Sequence, residues 1–150
     1  MTKPKILIDS NILIDGILSN WSASKALLIM MREVELFQVF ISAISVQEIE
    51  DFLIKKNQEH YINDYLNYLK FVNIEELPPP SQDIVLKYKK DILPALKHLA
   101  DLPIVVTAIK NDIDWIISNN RDHFSEALSK KTGIKITSAS EFLQTVDIFK

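Results

Sequence analysis

Acidic and amide residues recur in this chain where apolar runs end and amphipathic segments begin. Asp9 closes Ile6-Leu7-Ile8 and is followed by Ser10 and Asn11. Glu48 ends Ser45-Val46-Gln47-Glu48, downstream of the apolar Val39-Phe40-Ile41. Asp101 opens Asp101-Leu102-Pro103-Ile104, and Asn120 and Asp122 follow Trp115-Ile116-Ile117-Ser118. Carboxylates distant in sequence but on the same kind of structural edge suit a hard divalent cation, Mg²⁺ or Mn²⁺. Such an ion activates water and stabilises the charge of an in-line displacement at phosphorus. The chemistry expected of the set is therefore metal-dependent phosphodiester hydrolysis, with no covalent nucleophile. Arg121 is placed to contact a phosphate or to pair with one of the acids.

Each residue also has a plainer explanation. Asp, Ser and Asn are all good helix caps, and capping suits Ser10 or Asn11 better than a carboxylate set directly after a buried strand. Asp101 near a helix start favours the positive end of the dipole. Ile44, Glu48 and Phe52 share one helical row, and a carboxylate in an apolar row needs a partner or a metal, because isolated burial is costly. Glu50 and Asp51 read as solvent-facing. Polar residues after a strand, as in 118–123, are often only a turn. His123 is open to a surface, core or metal-supporting role. His60 and His98 show no metal-ligand spacing with each other and read as structural or solvated.

Positioning these groups requires strands that end at one edge. Lys5–Ile8, Phe37–Ser42, Phe71–Ile74, Trp115–Ser118 and Ile134–Thr137 read as strands, the first continuous rather than alternating and so buried on both faces. Helices are expected from Ser22 to Val34, with Ser22 or Ser24 as cap, from Ser45 to Asn57, and from Glu59 to Leu69. Pro78-Pro79-Pro80 forms a loop. Ser81 caps a helix to Asp91, Pro94 ends or kinks it, and a short helical piece covers Ala95–Leu99. Pro103 suits the first turn of a helix to Lys110. Phe124–Lys131 stops at Gly133, and Ser138 or Ser140 caps a last helix through Val146, helped by Glu141. Strand–helix alternation implies a mostly parallel sheet covered on both faces, with ligands beyond the strands' carboxyl ends. Tyr61, Tyr65 and Tyr68 fall at i, i+4 and i+7, which suits core packing or a protein-binding surface.

Composition sets the outer bounds. One domain over residues 1–150 is expected from the length, and an apolar share of 47% supports a core. There are no cysteines, which excludes disulfides and thiolate metal sites. No apolar run reaches the roughly 18 residues of a membrane span, and no secretory pattern opens the chain, so no membrane role and a cytoplasmic location are expected. The formal net charge of −3 argues against a general nucleic-acid coating protein. It does not argue against a nuclease, whose acids lower the total while bound metal restores positive charge locally. Lys55-Lys56, Lys87-Lys89-Lys90 and Lys130-Lys131 read as solvated helix faces.

Taken together, Ile6-Leu7-Ile8-Asp9-Ser10-Asn11-Ile12-Leu13, Ile44-Ser45-Val46-Gln47-Glu48-Ile49, Asp101-Leu102-Pro103-Ile104 through Ala108, Trp115-Ile116-Ile117-Ser118-Asn119-Asn120 and Gly133-Ile134-Lys135-Ile136-Thr137 resemble the PIN domain, the group that includes VapC-type toxin ribonucleases. The resemblance runs over nearly the full length. It implies an α/β fold, a three-layer αβα sandwich around a five-stranded parallel sheet, and Mg²⁺- or Mn²⁺-dependent cleavage of RNA. By position, Asp9, Glu48 and Asp101 match the family's main acidic ligands, and Ser10 or Asn11 the residue supporting the first. The fourth family position, two residues after Ser118, holds the neutral Asn120, with Asp122 near enough to supply the charge. Asn120 places a second metal ion in doubt more than metal binding itself. Many relatives are toxins neutralised by an antitoxin, and many are homodimers, so RNA, an antitoxin protein and a second copy are the implied partners. The competing expectation is a catalytically weak or inactive PIN domain that binds RNA or protein. Aspartyl phosphatases of other doubly wound folds want a second Asp where Asn11 stands, and response-regulator receivers want adjacent acids after the first strand.

Overall fold

Alternation of apolar side chains along short strands separates two cores. The computed structural model describes residues 3–120 and 123–146. In it β1 (Lys5–Ile8), β2 (Gln38–Ser42), β3 (Glu75–Leu77), β4 (Trp115–Ile117) and β5 (Lys135–Thr137) form one sheet. Its order is β3-β2-β1-β4-β5, and every neighbouring pair is parallel. Ile6 and Ile8 enter one apolar cluster with Val39, Ile41 and Ile117. Leu7, in register with Phe40 and Ile116, enters the other with Leu77. A central strand buried on both faces must be apolar throughout, which is why Ile6-Leu7-Ile8 is unbroken.

Helices α1 (Ser10–Leu18), α2 (Ala23–Glu33), α3 (Ala43–Lys55), α4 (Ile62–Phe71) and α8 (Ala139–Thr145) send their apolar stripes to the first cluster. Helices α5 (Gln82–Ile92), α6 (Leu102–Lys110) and α7 (Glu126–Thr132) send theirs to the second. This is the three-layer α/β arrangement expected. Serines start many of these helices: Ser22, Ser42, Ser81, Ser125 and Ser138 each accept the backbone N–H three residues on. Ser138 and Glu141 form a reciprocal capping box. Gly133, at φ 77°, closes α7 in the left-handed region that glycine enters without cost.

The structure departs from expectation at several elements. Helix α1 has no counterpart among the expected helices, although capping suits Ser10 or Asn11; its buried Ile12, Leu13 and Ile17 resume three polar residues after β1. The third strand lies at Glu75–Leu77, not Phe71–Ile74. Helix α4 continues to Phe71, and Asn73 at φ 60° then turns the chain, with the N–H of Ile74 donating to the carbonyl of Leu69. Val72 and Ile74 are buried as the helix's closing turn, so their apolar character did not mark a strand. Two 3₁₀ turns, Leu93–Ala95 and Leu99–Asp101, replace the single piece expected at Ala95–Leu99. Helix α7 begins at Glu126 rather than Phe124, because Ser125 caps it.

Tyr65 is fully buried while Tyr61 and Tyr68 pack at the edge of the same cluster, so the tyrosine row is chiefly core. Among the described residues the Tyr65 hydroxyl has no hydrogen-bond partner, and burial pushes its pKa well up. Tyr65→Phe removes that unpaired group and is expected to raise stability by about 1 kcal/mol. A denaturant midpoint below the parent's would show that the hydroxyl is satisfied in solution. Gly16 lies where α1 crosses α2, and a Cβ there would come within 2.5 Å of the buried Leu28 Cδ1. Gly16→Val is expected to cost about 2 kcal/mol through overpacking, seen as a lowered unfolding temperature. Among the described residues no single helix is long and apolar enough to cross a membrane.

Candidate metal and nucleic-acid site

An open parallel sheet presents a crevice where neighbouring strands send the chain to opposite faces. Here that point lies between β1, which leads into α1 on one face, and β4, which leads toward α7 on the other. Asp9 sits at the end of β1, its N–H donating to the carbonyl of Ile117 in β4. Asp9 is itself the cap of α1, in extended conformation, and its Oδ1 accepts from the N–H of Ser10 at 2.9 Å. The cap expected at Ser10 or Asn11 is therefore corrected: one carboxylate both starts the helix and faces the crevice.

Supporting residues converge on Asp9. Its Oδ2 accepts from Ser118 Oγ at 2.8 Å and from Asn11 Nδ2 at 2.9 Å. Asn11 also donates to Ser118 Oγ, and Ser118 Oγ accepts the N–H of Asn120. Asn11 Oδ1 accepts the N–H of Asn119. Asn119 had no assigned role, yet it ties four elements together. Its amide donates to the buried Ser24 Oγ at 2.8 Å, and its Oδ1 accepts the N–H of Ala139 at the start of α8. Ser24 is thus a buried tie and not a helix cap. Only the paired amides Asn119-Asn120 after Ser118 hinted at this clasp.

Asp101 enters from the other face. Asp9 is 8% exposed and Asp101 7%. Asp101 closes the 3₁₀ turn before α6 and stands at the N-terminus of that helix, where the dipole favours a carboxylate as expected, although its side chain makes no capping hydrogen bond. Its buried Oδ2 receives no hydrogen bond, although Nδ1 of His123 stands 2.8 Å away. His123 in turn stacks on His98, ring centroids 4.1 Å apart. Sequence spacing had linked none of these three residues, because the contact joins two loops.

Glu48 differs from expectation. The buried stripe of α3 is Ser45, Ile49 and Leu53; Glu48 borders it and is exposed. Glu50, expected in solvent, is half-buried and lies within electrostatic reach of Tyr65. The Glu48 carboxyl still has a raised pKa, first by partial desolvation, then by the charges of Asp9 and Asp101. The Asp9 carboxyl is raised by burial above all, with Asp101 adding to it, and the Ser118 and Ser10 hydrogen bonds and His123 opposing. The charge of Asp101 thus bears on Asp9, and the charges of both bear on Glu48. Among the described residues no three His, Asp or Glu side chains stand close enough to enclose a metal directly. Asn120 begins the turn after β4, its carbonyl accepting from His123 and Phe124. Asp122 and Arg121 lie outside the described residues. The carboxylate oxygens of Asp9 and Asp101 are donors of the type that suits a hard divalent cation, with His123 Nδ1 beside Asp101 Oδ2.

Comparison with known proteins bears on the same features. No curated protein matches the chain significantly. Among solved structures, VapBC2 from Rickettsia felis, bound to a DNA fragment from their promoter, superposes with a TM-score of 0.66 at 15% identity, covering 89% of this chain and 98% of that one. DNA-bound VapBC from Salmonella typhimurium gives 0.64 at 14% identity, covering 91% and 98%. FitAcB from Neisseria gonorrhoeae gives 0.61 at 19% identity, covering 90% and 98%. Identities this low speak for the fold. A family model described as PIN domain matches residues 5–122, a span that runs from β1 past β4 and takes in Asp9, Glu48, Asp101 and Asn120. The strand order, the carboxylate at the switch point and that match agree, and the chain belongs to the PIN domain family.

Proposed function

We propose that this protein is a metal-dependent endoribonuclease that hydrolyses RNA phosphodiester bonds, working as the toxin of a toxin–antitoxin pair. The observation that carries this is the pair of buried carboxylates, Asp9 and Asp101, at the sheet's switch point, with the exposed Glu48 near enough to feel the charge of both. Mg²⁺ or Mn²⁺ would be held by Asp9, Glu48 and Asp101, with Asp122 beside Asn120 at the fourth position. When bound, such an ion activates water and neutralises charge on the phosphodiester.

The chain's own residues supply order. Ser118 and Asn11 fix the Asp9 carboxylate by donating to one of its oxygens, leaving fewer orientations to lose when a ligand arrives. The Asn119 clasp holds α1, α2 and α8 against the end of β4. Arg121 is the residue assigned to a substrate phosphate. Two-component VapBC assemblies among the structural neighbours support an antitoxin partner, and a homodimer remains part of the proposal. The neutral Asn120 favours a second reading, a binding module with weak or no catalysis. A mixed single-stranded RNA pool incubated with Mg²⁺, Mn²⁺ or EDTA decides between them. Cutting in either metal and not in EDTA is expected; measurable metal binding without cutting would favour the binding module.

A further inference from the structure

We propose that the stacked His98–His123 pair is a platform for a nucleobase next to the scissile phosphate, an inference that rests on the ribonuclease reading and names how its substrate is gripped. The rings lie 4.1 Å apart at 26°, so one face of each is already used by the other. His98 is exposed, which leaves its outer face free to continue the stack. His123 is anchored beside Asp101 at 2.8 Å. His98 sits on the turn that delivers Asp101, whose N–H donates to the His98 carbonyl at 3.1 Å. The platform and the buried carboxylate are thus parts of one local unit, and a base stacked there has its phosphate near the crevice.

Two physical points favour a base over other occupants. Unpaired bases in single-stranded RNA are gripped by stacking on aromatic side chains, histidine included, without regard to sequence. A chain of net charge −3 has no general excess of positive charge to hold the RNA backbone away from the metal and Arg121, so stacking adds a grip that does not depend on charge.

The test compares the parent with His98→Ala and His98→Phe, each checked for an unchanged unfolding temperature. The probes are a labelled single-stranded oligoadenylate and a series in which one nucleotide at a time is abasic. His98→Ala is expected to weaken binding about tenfold and to raise KM with little change in kcat, whereas His98→Phe stays within about threefold of the parent. One abasic position should cost the parent a similar factor and cost His98→Ala nothing. Equal binding by His98→Ala, or equal losses in Ala and Phe, would overturn the platform. Cleavage by the parent with His98→Ala unaffected would sink the platform and leave the nuclease standing. Histidine-dependent binding without cleavage in either metal would do the reverse, and a parent that binds no RNA would end both.

Discussion

Asp101→Asn is expected to lower metal-dependent RNA cleavage by about a thousandfold, since a bound metal supplies several kcal/mol of transition-state stabilisation and each tenfold in rate is about 1.4 kcal/mol. The substitution keeps the shape of the side chain and removes only its charge. It should also leave the fold intact. The Oδ2 it replaces receives no hydrogen bond, and the His123 ring nitrogen 2.8 Å away can accept from the new amide. Asp9→Asn should abolish cleavage to a similar extent, but its structural cost differs. Its Oδ1 can still accept from Ser10, whereas the new amide would face two donors, Asn11 and Ser118. Unfolding temperatures measured beside the rates separate loss of chemistry from loss of fold. Parent-rate cutting by both variants would show that the site has been wrongly assigned.

Removing the metal should matter most at neutral pH. The Asp9 carboxyl, raised by burial and by Asp101, holds its proton more tightly in the folded chain than in the unfolded one. Its ionisation therefore costs the folded state nothing below the unfolded pKa of 3.8, and a growing amount as pH rises to the folded value. Glu48 acts in the same sense but stays open to solvent, so its share is screened. Without divalent ions, these groups make the protein lose stability as pH climbs through that window. Added Mn²⁺ should reverse the loss. A ligand at a hundred times its Kd stabilises by about 2.7 kcal/mol, or roughly 5–10 °C for a chain of this size. Near pH 5 the ion competes with protons more than at neutral pH, because both carboxyls are shifted upward, so the shift should shrink. Thermal unfolding with Mn²⁺ and with EDTA at both pH values measures this. The same shift at both, or none at either, would count against a carboxylate-bound cation.

Much of this protein was written in local patterns. The unbroken Ile6-Leu7-Ile8 marked a strand covered on both faces, and the cores on its two sides explain why no polar residue interrupts it. Ser22, Ser81 and Ser138 were legible as caps because capping depends on a hydroxyl three residues from its donor, a distance the sequence displays. Local signals failed where polar residues had two uses or a turn was apolar. Asp9-Ser10-Asn11 read as site residues while also starting α1, and the buried turn after α4 imitated a strand.

The order of acids and amides along the chain determined which residues to suspect and which family they resemble. Only the tertiary structure decided how they meet. Parallel pairing of β1 with β4 sets Asp9 beside Ser118, 109 positions away, and turns a polar tail into a carboxylate clamp. Folding also exposed Glu48, left Asp101 without a capping bond, and brought His98 and His123 face to face. The reason is range: caps and periodicity act within a turn or two of chain, whereas burial, repulsion between carboxylates and ring stacking depend on which distant segments the sheet brings together.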